Sequence, residues 1–86
     1  MPYIDSNRRP LLNKWIENVK AEDTDIGGLN YIITKIVLKW IKRDQPSYLN
    51  YNQAIGVLEC VKQELYRKAV AKYEDKKCEE NGEVYY

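Results

Sequence analysis

Tyrosine is where this sequence concentrates its chemistry. Eight tyrosines (Tyr3, Tyr31, Tyr48, Tyr51, Tyr66, Tyr73, Tyr85 and Tyr86) and no phenylalanine occur in 86 residues. A chain needing only apolar filler would use some phenylalanine. Tyrosine supplies the same ring with a polar tip, which suits interfaces and ligands that stack. Tyr31 and Lys35 stand four apart, so a helix makes them surface neighbours. Glu59, Gln63 and Arg67 form a polar row at the same spacing, with Tyr66 beside it. A ring stacks on a nucleobase and a guanidinium or ammonium holds a phosphate, so this set has the parts a nucleotide needs. Asn30, Tyr31, Lys35, Glu59, Gln63, Tyr66 and Arg67 are therefore the candidate ligand-binding residues. Arg8 and Arg9 join them as a pair able to close over an anion. Cations at a helix N-terminus are electrostatically unfavourable, which points to a partner for that pair. The competing reading makes Arg8 and Arg9 a solvated start, and each tyrosine a rim residue between helices.

Catalysis lacks its usual parts. The chain has no histidine, the commonest general base. Gly27-Gly28 lacks the further glycines and the Lys-Ser/Thr pair of a phosphate loop. Gly27 to Asn30 precede a predicted helix start, where free N–H groups either receive an anion or are simply capped. Ser6 and Ser47 have no visible base, and the carboxylate pairs Glu59/Glu64 and Glu74/Asp75 sit among lysines as solvated charge. No enzyme activity and no cofactor are expected. Cys60 and Cys78 lack metal-ligand spacing, so no metal site is expected. On one helix they would stand roughly 27 Å apart, too far for a disulfide. They read as free thiols, which suits a reducing cytoplasm.

Three helices must position these residues. Pro10 suits a first turn, and Leu11, Leu12, Trp15, Ile16 and Val19 recur at helical spacing, predicting helix one over about 9–22. Asp23 to Gly28 then reads as a loop. Leu29, Ile32, Ile33, Ile36, Val37, Trp40 and Ile41 predict helix two over about 29–43, because their period is three to four and alternation fails. Asp44-Gln45-Pro46 stops it. Ser47 to Asn52 is either a connector or the opening of helix three. Helix three is predicted over about 52–77, with Ile55, Leu58, Cys60, Val61, Leu65, Ala69, Val70 and Tyr73 on its apolar side, and Asn81-Gly82 gives a stop. A short tail covers 81–86. The fold class is all-α: a single domain, 1–86, of three helices with one long amphipathic C-terminal helix.

Size and charge set the remaining limits. Chains this short bury only about 60–65% of their unfolded surface and usually need a staple. With disulfide and metal set aside, a homo-oligomer, dimer or tetramer, is expected. The long helix outreaches its two short neighbours, which points the same way. The 14 basic and 13 acidic residues leave a net charge of +1, so no nucleic-acid polymer and no membrane surface is expected as a partner. No apolar run reaches the ~18 residues of a membrane span and the start has no apolar signal core, so a cytoplasmic protein is expected.

Three blocks carry a likeness. They are Gly28-Leu29-Asn30-Tyr31-Ile32-Ile33-Thr34-Lys35, the run Gly56 to Arg67, and Tyr73 to Lys77 with Glu80 to Tyr85. Over residues 27–85 the chain resembles a family of short uncharacterised proteins associated with tailed bacteriophages and viral metagenomes; helix one matches loosely. The blocks encode no known chemistry. The resemblance implies the cytoplasm of a host cell as the setting, and a function in evading host defence. One class of such proteins oligomerises and sequesters cyclic-nucleotide immune signals without cleaving them (an anti-CBASS sponge). The expected function is that kind of binding, with Tyr66→Ala or Arg67→Ala abolishing it. The alternatives are a protein–protein module that inhibits a host factor and a structural or assembly component of the virion.

Overall fold

A computed structural model describes residues 1–42 and 45–85 and contains helices but no strand among them. A 3-10 turn, Ser6–Arg8, leads into α1, Arg9–Ile16. A second 3-10 turn, Ala21–Asp23, precedes α2, Ile26–Lys42. Then α3, Tyr48–Leu65, passes through a π-helical turn, Tyr66–Val70, into α4, Ala71–Asn81. Together these last three make one uninterrupted helical run of 34 residues. None of the helices is long and apolar enough to cross a membrane, among the described residues. The predicted ends of helix two at Arg43, of its stop at Asp44 and of the tail at Tyr86 lie outside the described residues.

The first helix is shorter than its apolar spacing predicts. It ends at Ile16, and Val19 N–H bonds the Ile16 carbonyl at 2.9 Å in a closing turn. Neither Gly nor Pro stops it there. Short helices depend on packing of their apolar face for stability, and this face is uncovered: Leu11, Trp15 and Ile16 are all exposed.

The second helix starts three residues earlier than predicted. The Asp25 carboxylate accepts the Gly28 N–H at 2.7 Å, and the Leu29 N–H bonds the Asp25 carbonyl. Asp25 is thus an N-cap, and Gly27-Gly28 forms the first turn rather than a loop. A carboxylate therefore occupies the end where an anion was an option. Replacing Asp25 by Ala should lower stability by about 1 kcal/mol, read as a fall in the thermal midpoint; an unchanged midpoint would mean the cap contributes nothing.

The long run begins at Tyr48, where the Ser47 hydroxyl accepts the Asn50 N–H at 3.2 Å and Pro46 precedes the cap. The segment 47–52 is therefore the opening of the helix. At the far end Gly82 adopts φ +94°, a left-handed conformation that glycine takes without strain, and its N–H bonds the Cys78 carbonyl at 2.8 Å. Cys60 and Cys78 are both free thiols.

The chain divides into two units, Met1–Ala54 and Ile55–Tyr86. In the first, Ile41 and Ala54 are the only buried side chains among the described residues, at 5% and 6% exposure. Within that unit α1 and α2 make no repeated close backbone approach among the described residues. Large apolar side chains at core-type spacing, including Leu29, Ile33 and Ile36 of α2, stay exposed.

Candidate functional site

The predicted site residues fall into both units, and each half has its own geometry. In the first unit Lys35 Nζ lies 5.9 Å from the centre of the Tyr31 ring, within cation–π range. Beside them the Thr34 hydroxyl donates to Asn30 Oδ1 at 3.2 Å, which fixes the amide of Asn30. Lys39 and Lys42 continue the line of Tyr31 and Lys35 at steps of four and three, so all four share one face. From Tyr31 to Lys42 the stripe is about 16 Å long. Helix α2 has no acidic residue between Ile26 and Lys42, so none of its lysines has an ion-pair partner within the helix. A shallow cleft of about 410 Å³ opens along Lys35, Lys39 and Lys42. Lys39 and Lys42 also stand in the last turn, where the negative end of the helix dipole stabilises cations. Sequence reasoning named Tyr31 and Lys35 and missed Lys39 and Lys42, although their spacing and the lack of acids were readable.

Arg8 and Arg9 separate in role. Arg9 donates from Nε and Nη2 to the Ile4 carbonyl at 3.1 and 2.9 Å, tying down the N-terminal segment. Its guanidinium is thereby engaged in structure. Arg8 ends the 3-10 turn, its N–H bonded to the Asp5 carbonyl at 3.0 Å.

In the second unit Lys62–Glu59, Arg67–Glu64 and Lys77–Glu80 form ion pairs between helical neighbours. Gln63 donates to Glu59 Oε1 at 3.1 Å, and Lys62 pairs with Glu59 Oε2 at 3.0 Å. The Gln63 bond, then the Lys62 contact, holds the Glu59 carboxyl below its ordinary range. Arg67 does not extend that row. It turns to Glu64, with Nη2 3.0 and 3.1 Å from the two carboxylate oxygens. Exposed pairs of this kind are weak, yet a phosphate arriving at Arg67 must compete with a carboxylate.

Tyr66 is engaged by a residue that sequence spacing does not suggest. Its hydroxyl donates to Glu74 Oε1 at 2.7 Å, eight positions on. The π turn between them is the cause: the Ala71 N–H bonds the Tyr66 carbonyl, five residues back. Such a turn absorbs one extra residue. A separation of eight then behaves like one of seven, the spacing at which helical side chains share a face. The Glu74 hydrogen bond, with the negative charge of Glu74 behind it, holds the Tyr66 phenol above the ordinary 10.0. Its stabilisation is complete below that ordinary value and is lost as pH rises through the raised one. Glu74→Gln should bring the last phenol to titrate back toward the ordinary range in phenolate absorbance; no change would show that Glu74 does not hold Tyr66.

Beyond α4, Glu83 organises the chain end. Its Oε1 accepts the Tyr85 and Val84 N–H groups at 2.9 and 3.0 Å, and its Oε2 accepts the Cys78 thiol at 3.1 Å. These bonds, led by the Tyr85 N–H, hold the Glu83 carboxyl low, while Glu83 pushes the Cys78 thiol up and away from thiolate. A cleft of about 410 Å³ is lined here by Glu74, Asp75 and Glu83 among others. Its carboxylates and the negative helix end oppose an anionic ligand. No group of three metal-ligating side chains occurs among the described residues.

Fold and surface define an all-helical chain with little buried core, ion pairs along the second unit and, on α2, a cationic face with no acidic residue in its own helix. The chain belongs to the family described as a domain of unknown function (DUF6899), whose profile covers residues 1–84. No curated protein and no solved structure matches it.

Proposed function

We propose that this chain is a binding protein without catalytic activity, which acts as a homo-oligomer and holds a cyclic nucleotide intact. The observation that carries the ligand half is the α2 stripe. Tyr31 offers a ring for a base, and Lys35, Lys39 and Lys42 offer three ammonium groups with no carboxylate in their helix to neutralise them. A cyclic nucleotide presents bases and phosphodiesters together, and a symmetric assembly would present each contact more than once. In the tailed-phage setting that the sequence resemblance implies, such binding withdraws an immune signal from a host cytoplasm. Of the nine ligand residues expected from sequence, Asn30, Tyr31 and Lys35 keep that role. Tyr66, Arg67, Glu59, Gln63 and Arg9 serve contacts within the chain unless a ligand displaces them, and Arg8, outside the α2 stripe, is given no ligand role.

Incubation with a panel of cyclic di- and trinucleotides, removal of free ligand, denaturation and identification of what is released tests this directly. Recovery of one intact nucleotide is expected. Recovery of none sinks the ligand half, and recovery of a linear product restores an enzyme to consideration.

The exposed apolar side chains favour a second reading, a protein–protein module that blocks a host factor. It predicts a co-purifying partner of constant stoichiometry and a melting midpoint that no nucleotide shifts.

A further inference from the structure

The π turn at Tyr66–Val70 has no cause in its own residues. Tyr-Arg-Lys-Ala-Val-Ala, from 66 to 71, contains neither glycine nor proline, and Arg, Lys and Ala are strong helix formers. These residues could close an ordinary α ladder, with the Ala71 N–H on the Arg67 carbonyl. It reaches the Tyr66 carbonyl instead. Such turns are rare and concentrate at functional sites, so some contact must hold the extra residue out. Of the polar contacts described above, the Tyr66–Glu74 bond is the one that spans the turn. Arg67–Glu64 and Lys77–Glu80 each stay on one side of the Ala71 N–H.

Helix geometry ties that bond to the turn. On an unbroken α-helix, positions eight apart stand about 80° apart around the axis. With one residue absorbed they come within about 20° of one another. The bond and the turn therefore form together. The same shift lines Tyr73 up with Val61 and Leu65, all three exposed. Closing the α ladder would swing α4 by about 100° and carry Tyr73 out of that line. Tyr66 is half exposed and Glu74 lines the open cleft beside the chain end, so solvent reaches both halves of the bond.

We propose that the Tyr66–Glu74 bond is a latch on a helix with two rotational positions. Closed, it holds the π turn and a continuous Val61–Leu65–Tyr73 face. Open, the turn relaxes to α and α4 rotates as a unit. A binding partner that takes the Tyr66 hydroxyl or the Glu74 carboxylate thereby turns the surface beyond it, at a point independent of the α2 stripe.

Scalar coupling through hydrogen bonds, measured by NMR on the isotope-labelled 86-residue chain, identifies the carbonyl that each amide meets. The unaltered chain should couple the Ala71 N–H to the Tyr66 carbonyl. Tyr66→Phe, which keeps the ring, should move that coupling to the Arg67 carbonyl, with helical circular dichroism unchanged. Glu74→Ala breaks the same bond from the other side and should do likewise. Retention of the residue-66 partner in both variants would overturn the latch, as would an Arg67 partner in the unaltered chain. Loss of the helical signal in both would overturn it too, making the pair a requirement of folding. Deleting Ala69 removes the extra residue and leaves Ala71 four positions from Tyr66. In that background Tyr66→Phe should leave the Ala71 bond in place; a shift there would contradict the proposal.

Discussion

Diluting the protein about a hundredfold should lower its melting temperature by roughly 7 °C. The size follows from mass action. For a dimer that unfolds to free chains, a hundredfold dilution costs about 2.7 kcal/mol per dimer. Divided by the unfolding entropy of two chains of this length, that gives the shift. The physical basis is the near absence of a core within one chain. Among the described residues only Ile41 and Ala54 are buried, and burying one large apolar side chain contributes about 1.5–3 kcal/mol. Leaving Leu11, Trp15, Ile16, Leu29, Ile33 and Ile36 in water therefore forfeits about as much free energy as holds a small domain together. The measurement is helical circular dichroism against temperature at several concentrations. A midpoint that does not move with concentration would mean that each chain folds alone.

The second large effect concerns the cations of α2. Lys35→Ala, Lys39→Ala and Lys42→Ala should each weaken retention of a cyclic nucleotide by about 10- to 100-fold, the worth of one charge-assisted hydrogen bond. The triple variant should retain none, with its helical signal unchanged. Lys35→Arg should bind, because it keeps the charge and still stacks on Tyr31. Arg67→Ala should cost less than any of these, because Glu64 already holds that guanidinium. This reverses the ranking that sequence alone suggests, in which Tyr66 and Arg67 lead. Equilibrium retention across the variants decides it. If Arg67→Ala abolishes binding and the α2 variants do not, the ligand lies on the second unit and the stripe is only solvated charge.

The contrast shows which parts of the molecule were written in its local sequence. The body of α2 was legible because seven apolar residues repeat at a helical period. Its start was not, because Gly27-Gly28 resembles a loop until Asp25 is recognised as the cap. The early end of α1 leaves no local mark: Glu17 to Lys20 are acceptable in a helix, and what is missing is a surface to pack on. The long run exceeds its predicted 52–77 at both ends, but its stop at Asn81-Gly82 was legible and the segment from Ser47 was already one choice for its opening.

Site geometry was legible only where spacing alone sets it. Tyr31 with Lys35, and Glu59 with Gln63, meet because residues four apart meet on any helix. Arg67 had two candidates, Gln63 one turn back and Glu64 three residues back, and charge decided for Glu64. Tyr66 with Glu74 was out of reach, since no residue type announces a π turn.

The claim beneath all of this is that single chains leave their apolar faces for other copies to cover. Light scattering on the purified 86-residue chain, with helicity recorded at the same concentration, tests it most directly. The account predicts a particle whose mass is an integer multiple of 10.2 kDa, with helicity that falls as that mass falls. A fully helical particle of one chain's mass would contradict it.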